Sequence, residues 1–296
     1  MVQSPNLQDE LKNMKPQKEF FIGIDSDGCV FDTMEIKQKE CFCPNFIKYY
    51  NLQKVSKYAR ETWEFVNLYS KTRGLNRFKA LIEAVKLLGK RKEVHARGAA
   101  MPDMSALEEW VSKETRLGNP ALERYSKEVN DPRIDLTLAW SKKVNEDIAD
   151  LVFGISPFPN VKESLKKLTE KADAIVVSQT PVEALSREWE ENNIDHFARV
   201  IAGQEYGTKT EHLALAAKGK YPENKILMIG DAPGDYMAAS SNGVLFFPIN
   251  PDHEEDSWER FYNVGLDKFF NGTYQGDYEG ELIEEFNSYL PEKPDW

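Results

Sequence analysis

Cysteine is scarce in this chain, and the three that occur, Cys29, Cys41 and Cys43, make neither a disulfide framework nor a paired zinc knuckle. The two in "CFC" read as ordinary half-buried thiols. Histidine is nearly as rare: His95, His196, His212 and His253 fall in no ligand spacing and read as surface or packing residues. No run approaches about 18 consecutive apolar residues, and the opening "MVQSPNLQDELKNMKPQKEF" has no signal-type apolar stretch. A membrane span is therefore not expected, and the cytoplasm is the expected compartment. Positive charge is also short, with 38 Lys and Arg against 49 Asp and Glu for a net charge of -11. Without a basic stripe, nucleic acid and anionic membrane are not expected partners, whereas a small phosphorylated substrate stays possible where cations are gathered locally. No G-x-G-x-x-G follows the first apolar run and no serine nucleophile elbow occurs, so nicotinamide and α/β-hydrolase chemistry are not suggested.

What is present is enough apolar residue, 41% of 296, for a sizeable core. After a polar tail (residues 1–19), "EFFIGID" reads as a buried strand that ends sharply at polar residues. From residue 34 to 153 the periodicity is helical. Leu75, Phe78, Leu81, Ile82, Val85 and Leu88 form the stripe of a helix packed on one face, and "MSALEEWVSKE" and "IDLTLAWSKKVNEDIADLV" repeat the pattern. Beyond Pro157 helix and strand alternate, with strands at "ADAIVVS", "RVIAG", "NKILMIGD" and "VLFFPI". The pattern predicts an α/β fold: a doubly wound parallel sheet built from residues 20–33 and 154–250, interrupted by an all-helical insert over 34–153. Residues 251–296 read as one or two helices packing on the core, with a frayed acidic tail.

Conspicuous residues stand at four strand ends: Asp25 with Asp27, Ser178, Gly203 leading to Lys209, and Asp231 with Asp235. Taken singly, each is a plausible turn or helix cap. Parallel strands, however, gather such ends along one edge, where ligands bind. A calcium loop counted from Asp25 fails, because positions 5, 6 and 12 are Cys29, Val30 and Ile36. Phosphoryl transfer fits better. Two carboxylates two residues apart on an extended strand point the same way, one to attack phosphorus and one to handle the proton. Their repulsion calls for a cation, and Mg²⁺ held also by Asp231 is the natural choice, with Ser178, Lys209 and nearby N–H groups as donors to the phosphoryl oxygens.

"IDSDGCVFD", "VVSQTP", Lys209 in "GTKTEHL" and "IGDAPGD" resemble, in order, the four motifs of the haloacid dehalogenase-like superfamily. The resemblance spans roughly residues 20–33 and 155–250. It implies a Rossmann-like core in which Asp25 is the nucleophile that forms an aspartyl-phosphate and Asp27 is the general acid and base. Ser178 and Lys209 would bind the transferring group. Asp25, the Asp27 carbonyl and Asp231 would hold Mg²⁺, and Asp235 would orient those ligands from behind. The helical insert falls where the family's type 1 cap lies.

Asp27 argues for phosphate esters, because dehalogenases and phosphonate-cleaving members carry no acid there. "TRGLNRFKAL" resembles the cap specificity loop of beta-phosphoglucomutase and its phosphatase relatives, which makes Arg73 and Arg77 candidate substrate contacts beside Gln179; solvated charges at a helix start are the alternative. Where that mutase has a cap histidine this chain has Lys37. The expected function is a Mg²⁺-dependent phosphatase of a small phosphorylated metabolite, with a phosphosugar mutase or a non-catalytic phosphate-binding module as alternatives. Neither the substrate nor an oligomeric state is legible in the sequence.

Overall fold

A computed structural model describes residues 7–296, so residues 1–6 of the expected tail lie outside the described residues. The chain divides into two compact units, one made of the residues up to Thr33 with Gly154–Tyr289, the other of Met34–Phe153 with Leu290–Trp296.

The first unit is built on five parallel strands, β1 (Phe20–Ile24), β2 (Ala172–Val177), β3 (Ile201–Ala202), β4 (Ile226–Gly230) and β5 (Leu245–Pro248), in the order β3-β2-β1-β4-β5. Parallel strands covered on both faces are apolar throughout rather than alternating. Accordingly every residue of β1, β2, β4 and β5 is buried. Phe21, Ile22 and Ile24 are fully buried, each contributing roughly 1.5–3 kcal/mol. Register fixes the edge that matters: Ile24 pairs with Val176 on one side and Ile229 on the other, which sets Asp25, Ser178 and Asp231 beside the same end of the sheet.

The second unit is helical over its described residues. The stripe read from the sequence is the buried face of helix Arg77–Gly89, whose N-cap Asn76 accepts from the Phe78 N–H; Leu75 precedes the helix and packs half-buried on the same cluster. That cluster centres on Phe46, Trp63, Phe78 and Trp140. Lys37–Phe42 is a π-helical turn, an expansion that the apolar pattern does not signal.

Two expectations change at the termini. Leu7–Asn13 of the supposed tail is a helix that buries Leu11, and the Lys220 ammonium donates to the Leu11 carbonyl at 2.8 Å. At the other end the helices Glu254–Arg260, Leu266–Asn271 and Asp277–Tyr289 belong to the sheet unit, and Tyr274 donates to the Phe246 carbonyl of β5. Leu290–Trp296, however, belongs to the helical unit, not to an extension of the core. There the Trp296 ring takes the Arg91 guanidinium at 4.2 Å and packs edge-on to Phe65 at 5.5 Å.

Candidate active site

Asp25 is the residue after β1, and its N–H continues the ladder to the Ile229 carbonyl at 2.9 Å. Asp231 is the residue after β4. Asp235 comes back to the same place from the first turn of helix Pro233–Asn242, where its Oδ2 accepts from the Ala232 N–H at 3.1 Å. The approach is so close that a Cβ on Gly230 would stand 2.3 Å from the Asp235 carboxyl carbon, so only glycine fits there. One oxygen from each of Asp25, Asp231 and Asp235 lies within 4.8 Å of the others, and all three side chains are buried.

Lys209 opposes them. It is the first residue of helix Lys209–Ala216, set there by a capping box in which Thr208 accepts from the Glu211 N–H and Glu211 accepts from the Thr208 N–H. Its ammonium donates at 2.6 Å both to Asp25 Oδ2 and to Asp235 Oδ1. Burial alone would lower the lysine pKa, but Asp235 and Asp25 outweigh it and hold the group charged, well above its usual range.

One ammonium among three buried carboxylates leaves excess negative charge. At these separations each like-charged pair repels by roughly 3 kcal/mol at an effective dielectric of about 20. Desolvation and, against the pull of Lys209, the field of Asp235 push Asp25 up to about 7, and burial likewise raises Asp235. A group of hard oxygen donors that resists ionising alone is chemically suited to a small divalent cation. Lys209 and a main-chain N–H engage both oxygens of Asp235 (Ala232 N–H) and both of Asp25 (Ser26 N–H at 2.8 Å), so hydrogen bonding does not rank these two as ligands.

Asp27 stands two residues beyond Asp25. β1 stops at Ile24, and the chain turns at once, with the N–H groups of Cys29, Val30 and Phe31 converging on the Ser26 carbonyl. The Asp27 carboxylate is half-buried and is not one of the three that cluster. It accepts from Thr33 Oγ1 at 2.5 Å and from Thr180 Oγ1 at 2.6 Å.

Ser178 follows β2 and is buried, with its Oγ accepting from the Thr180 N–H at 3.2 Å. Gln179 is exposed, its amide donating to the Gly207 carbonyl at 2.9 Å. Arg73 and Arg77 belong to the helical unit, and neither is a solvated charge. Arg73 is 3% exposed and donates to the Leu68 carbonyl, whereas Arg77 stacks on Phe42 at 4.9 Å and donates to Asn145 Oδ1 at 2.7 Å and Ser141 Oγ at 3.1 Å. Burial draws the Arg77 pKa down to about 10. Lys37 is half-buried in the π-turn.

Sequence reasoning missed Thr33, Thr180 and the support beneath the first motif. There the Trp189 indole donates to Ser26 Oγ at 3.0 Å, and Ser26 in turn donates to Glu188 at 3.3 Å. Only the closeness of Thr180 to Ser178 in "VVSQTP" signalled any of these.

Residues 108–249 match the model of the haloacid dehalogenase-like hydrolase family. No curated protein matches the chain. Among solved structures, a protein of Lactobacillus delbrueckii provisionally named a phosphoglycolate phosphatase is similar at 17% identity and a TM-score of 0.48, over 91% of this chain and 99% of that one. A Thermotoga maritima protein provisionally named a beta-phosphoglucomutase is similar at 13% and 0.45, over 84% and 99%. A haloacid dehalogenase-like family hydrolase of Streptococcus pneumoniae is similar at 14% and 0.44, over 90% and 98%.

Proposed function

We propose that this chain, which belongs to the haloacid dehalogenase-like hydrolase superfamily, is a Mg²⁺-dependent phosphatase that hydrolyses small phosphomonoesters. The observation that carries this reading is the buried set of Asp25, Asp231 and Asp235 around Lys209, one residue beyond the sheet at β1 and β4. A structural ion pair has no use for so much excess charge of one sign. A site that must hold a cation and a phosphoryl group does.

Asp25 supplies a carboxylate oxygen that bonds to phosphorus as the ester P–O bond breaks. The departing oxygen takes a proton from the Asp27 carboxyl group. Water then attacks the aspartyl-phosphate, Asp27 accepts its proton, and the bond from phosphorus to Asp25 breaks to release inorganic phosphate and restore both side chains. Lys209 and Ser178 offer donors to the phosphoryl oxygens, whose charge spreads over three atoms in transfer. When bound, Mg²⁺ would be held by Asp25, Asp231 and the Asp27 carbonyl and would supply neutralising charge. Asp235 fixes Lys209 and the turn at Ala232. The helical insert over 34–153 is, on this reading, the cap, with Arg73, Arg77 and, from the core, Gln179 as substrate contacts.

The test is phosphate release from a panel of phosphorylated metabolites, with and without Mg²⁺, using Asp25→Asn as the blank. Release that needs both supports the proposal. Transfer between hydroxyls of bis-phosphorylated sugars without net release would replace it by a mutase, and inactivity in both assays would leave a phosphate-binding protein.

A further inference from the structure

We propose that Thr180 is a positioning residue for Asp27: its hydroxyl holds the Asp27 carboxylate in the orientation from which the proton is passed. The inference rests on the phosphatase reading for its purpose, but the contact stands on its own geometry. Thr180 Oγ1 donates to Asp27 Oδ2 at 2.6 Å, across 153 residues of sequence. Such a long-range contact needs the donor to be fixed as firmly as the acceptor.

It is fixed from three sides. The Thr180 N–H donates to Ser178 Oγ at 3.2 Å, so the turn after β2 is closed by the serine that the phosphoryl group would meet. The Thr180 carbonyl accepts from the Gln204 N–H at 3.1 Å. The loop after β3 reaches it only because residue 203 is glycine, where a Cβ would stand 2.5 Å from the Thr180 carbonyl oxygen and 2.8 Å from the Val182 nitrogen. Three strand ends thus meet at Thr180: Asp27 beyond β1 at its hydroxyl, and Gly203 beyond β3 at its backbone.

The chemistry gives the hydroxyl a part that a methyl group cannot take. A carboxyl group that alternately gives and takes a proton needs a neighbour that can both donate to the ionised form and accept from the neutral one, and a hydroxyl rotor does both. Thr33, on Oδ1 at 2.5 Å, ends the first stretch of the sheet unit, whereas Thr180 is fixed within the core loops. Thr180 is therefore the anchor that turns Asp27 Oδ2 to a constant direction.

Thr180→Val keeps the branched shape and removes only the hydroxyl, and Thr180→Ser keeps the hydroxyl. The Val variant is expected to lower kcat on an alkyl phosphate about 10-fold with KM nearly unchanged, to cost less on an activated aryl phosphate, and to be rescued by Ser to within about 3-fold of the parent. Crystal structures of both variants supply a readout apart from turnover: the Asp27 carboxylate should rotate away in the Val variant and stay in the Ser variant. An unmoved Asp27 in the Val variant, or a Ser variant as impaired as Val, would overturn the proposal. A parent enzyme that releases no phosphate would overturn the phosphatase reading instead, and the crystallographic comparison would still decide on Thr180.

Discussion

Two aspartates are buried at opposite ends of the same sheet, and they are solvated by the protein in opposite ways. Asp173, near the start of β2, is 3% exposed and accepts from the Gln17 and Lys18 N–H groups at 2.8 and 3.0 Å, from the Tyr221 hydroxyl at 2.6 Å and from Arg199 at 2.9 Å. Burial pushes its pKa up, but Tyr221, the two N–H groups and Arg199 more than reverse this and hold it below the usual range. Asp25, beyond the end of β1, is 4% exposed and shares its one ammonium with Asp235; burial wins, and its pKa rises to about 7. The fold can therefore surround a buried carboxylate with four donors, and at the other end of the sheet it gives one only the Ser26 N–H and an ammonium shared with a second carboxylate. A deficit of that kind marks a place meant for a cation and a ligand rather than for stability.

Exchanging each aspartate for asparagine tests the contrast most severely. Asp25→Asn should abolish phosphate release, by about 10³-fold or more, because the nucleophilic oxygen is lost. Without metal at pH 8 it should melt no lower than the parent, since it removes one charge from a crowded set. Asp173→Asn should do the reverse: about 2–4 kcal/mol of stability lost, because an amide presents a donor to four donors, with turnover per folded molecule unchanged. An Asp25→Asn protein that turns over normally, or one that is destabilised as much as Asp173→Asn, would erase the distinction.

The same contrast should appear as opposite slopes of stability against pH. A carboxyl group whose folded pKa is raised stabilises fully below its unfolded value, near 3.8, and that contribution is lost as pH rises through about 7. Each unit is worth about 1.4 kcal/mol, so the metal-free protein should lose a few kcal/mol from this site between about pH 4 and pH 7. Asp173, with its pKa lowered, contributes stability that is present above the unfolded value and is lost as pH falls through the folded one. Denaturant titrations of the chelated protein from pH 7 down to about pH 2, repeated with Mg²⁺ present, measure both. Mg²⁺ should flatten the upper slope by replacing the proton, and Asp25→Asn should flatten it without Mg²⁺; a slope indifferent to both would place the deficit elsewhere.

Much of this was legible in the sequence for one physical reason. A parallel strand buried on both faces reads as an apolar run, and the residue that ends the run marks the edge where ligands bind; Asp25, Ser178 and Asp231 were all found this way. What the runs could not show was the turn. Nothing in "IDSDGC" says that the chain turns back on the Ser26 carbonyl directly after the first aspartate. Hydroxyl partners such as Thr33 and Thr180 are equally hidden, because a threonine carries no pattern until its acceptor is known. Asp173 was passed over within "ADAIVVS" for the complementary reason: its four donors come from residues 17, 18, 199 and 221, and only the fold assembles them.

The finest cut is made by removing a single donor from the satisfied aspartate. Tyr221→Phe deletes the 2.6 Å hydrogen bond to Asp173 while leaving the ring against Phe21, whose centroid lies 5.4 Å away. A hydrogen bond to a charged group contributes about 1.5–3 kcal/mol, and here three other donors remain to limit the loss, so about 1 kcal/mol is expected. The loss should be full above the usual carboxylate value of 3.8, where Asp173 is ionised, and shrink only as pH falls below it through the lowered folded value. Phosphate release should be untouched, because Asp173 stands at the start of β2 and the reacting groups stand beyond the ends of the strands. Urea titrations of Tyr221→Phe from pH 7 down to about pH 2, beside a turnover assay, decide it. A loss that stays constant down to the acid end of that range would mean that Tyr221 stabilises by packing alone, and Asp173 would then be less completely solvated than its four contacts imply.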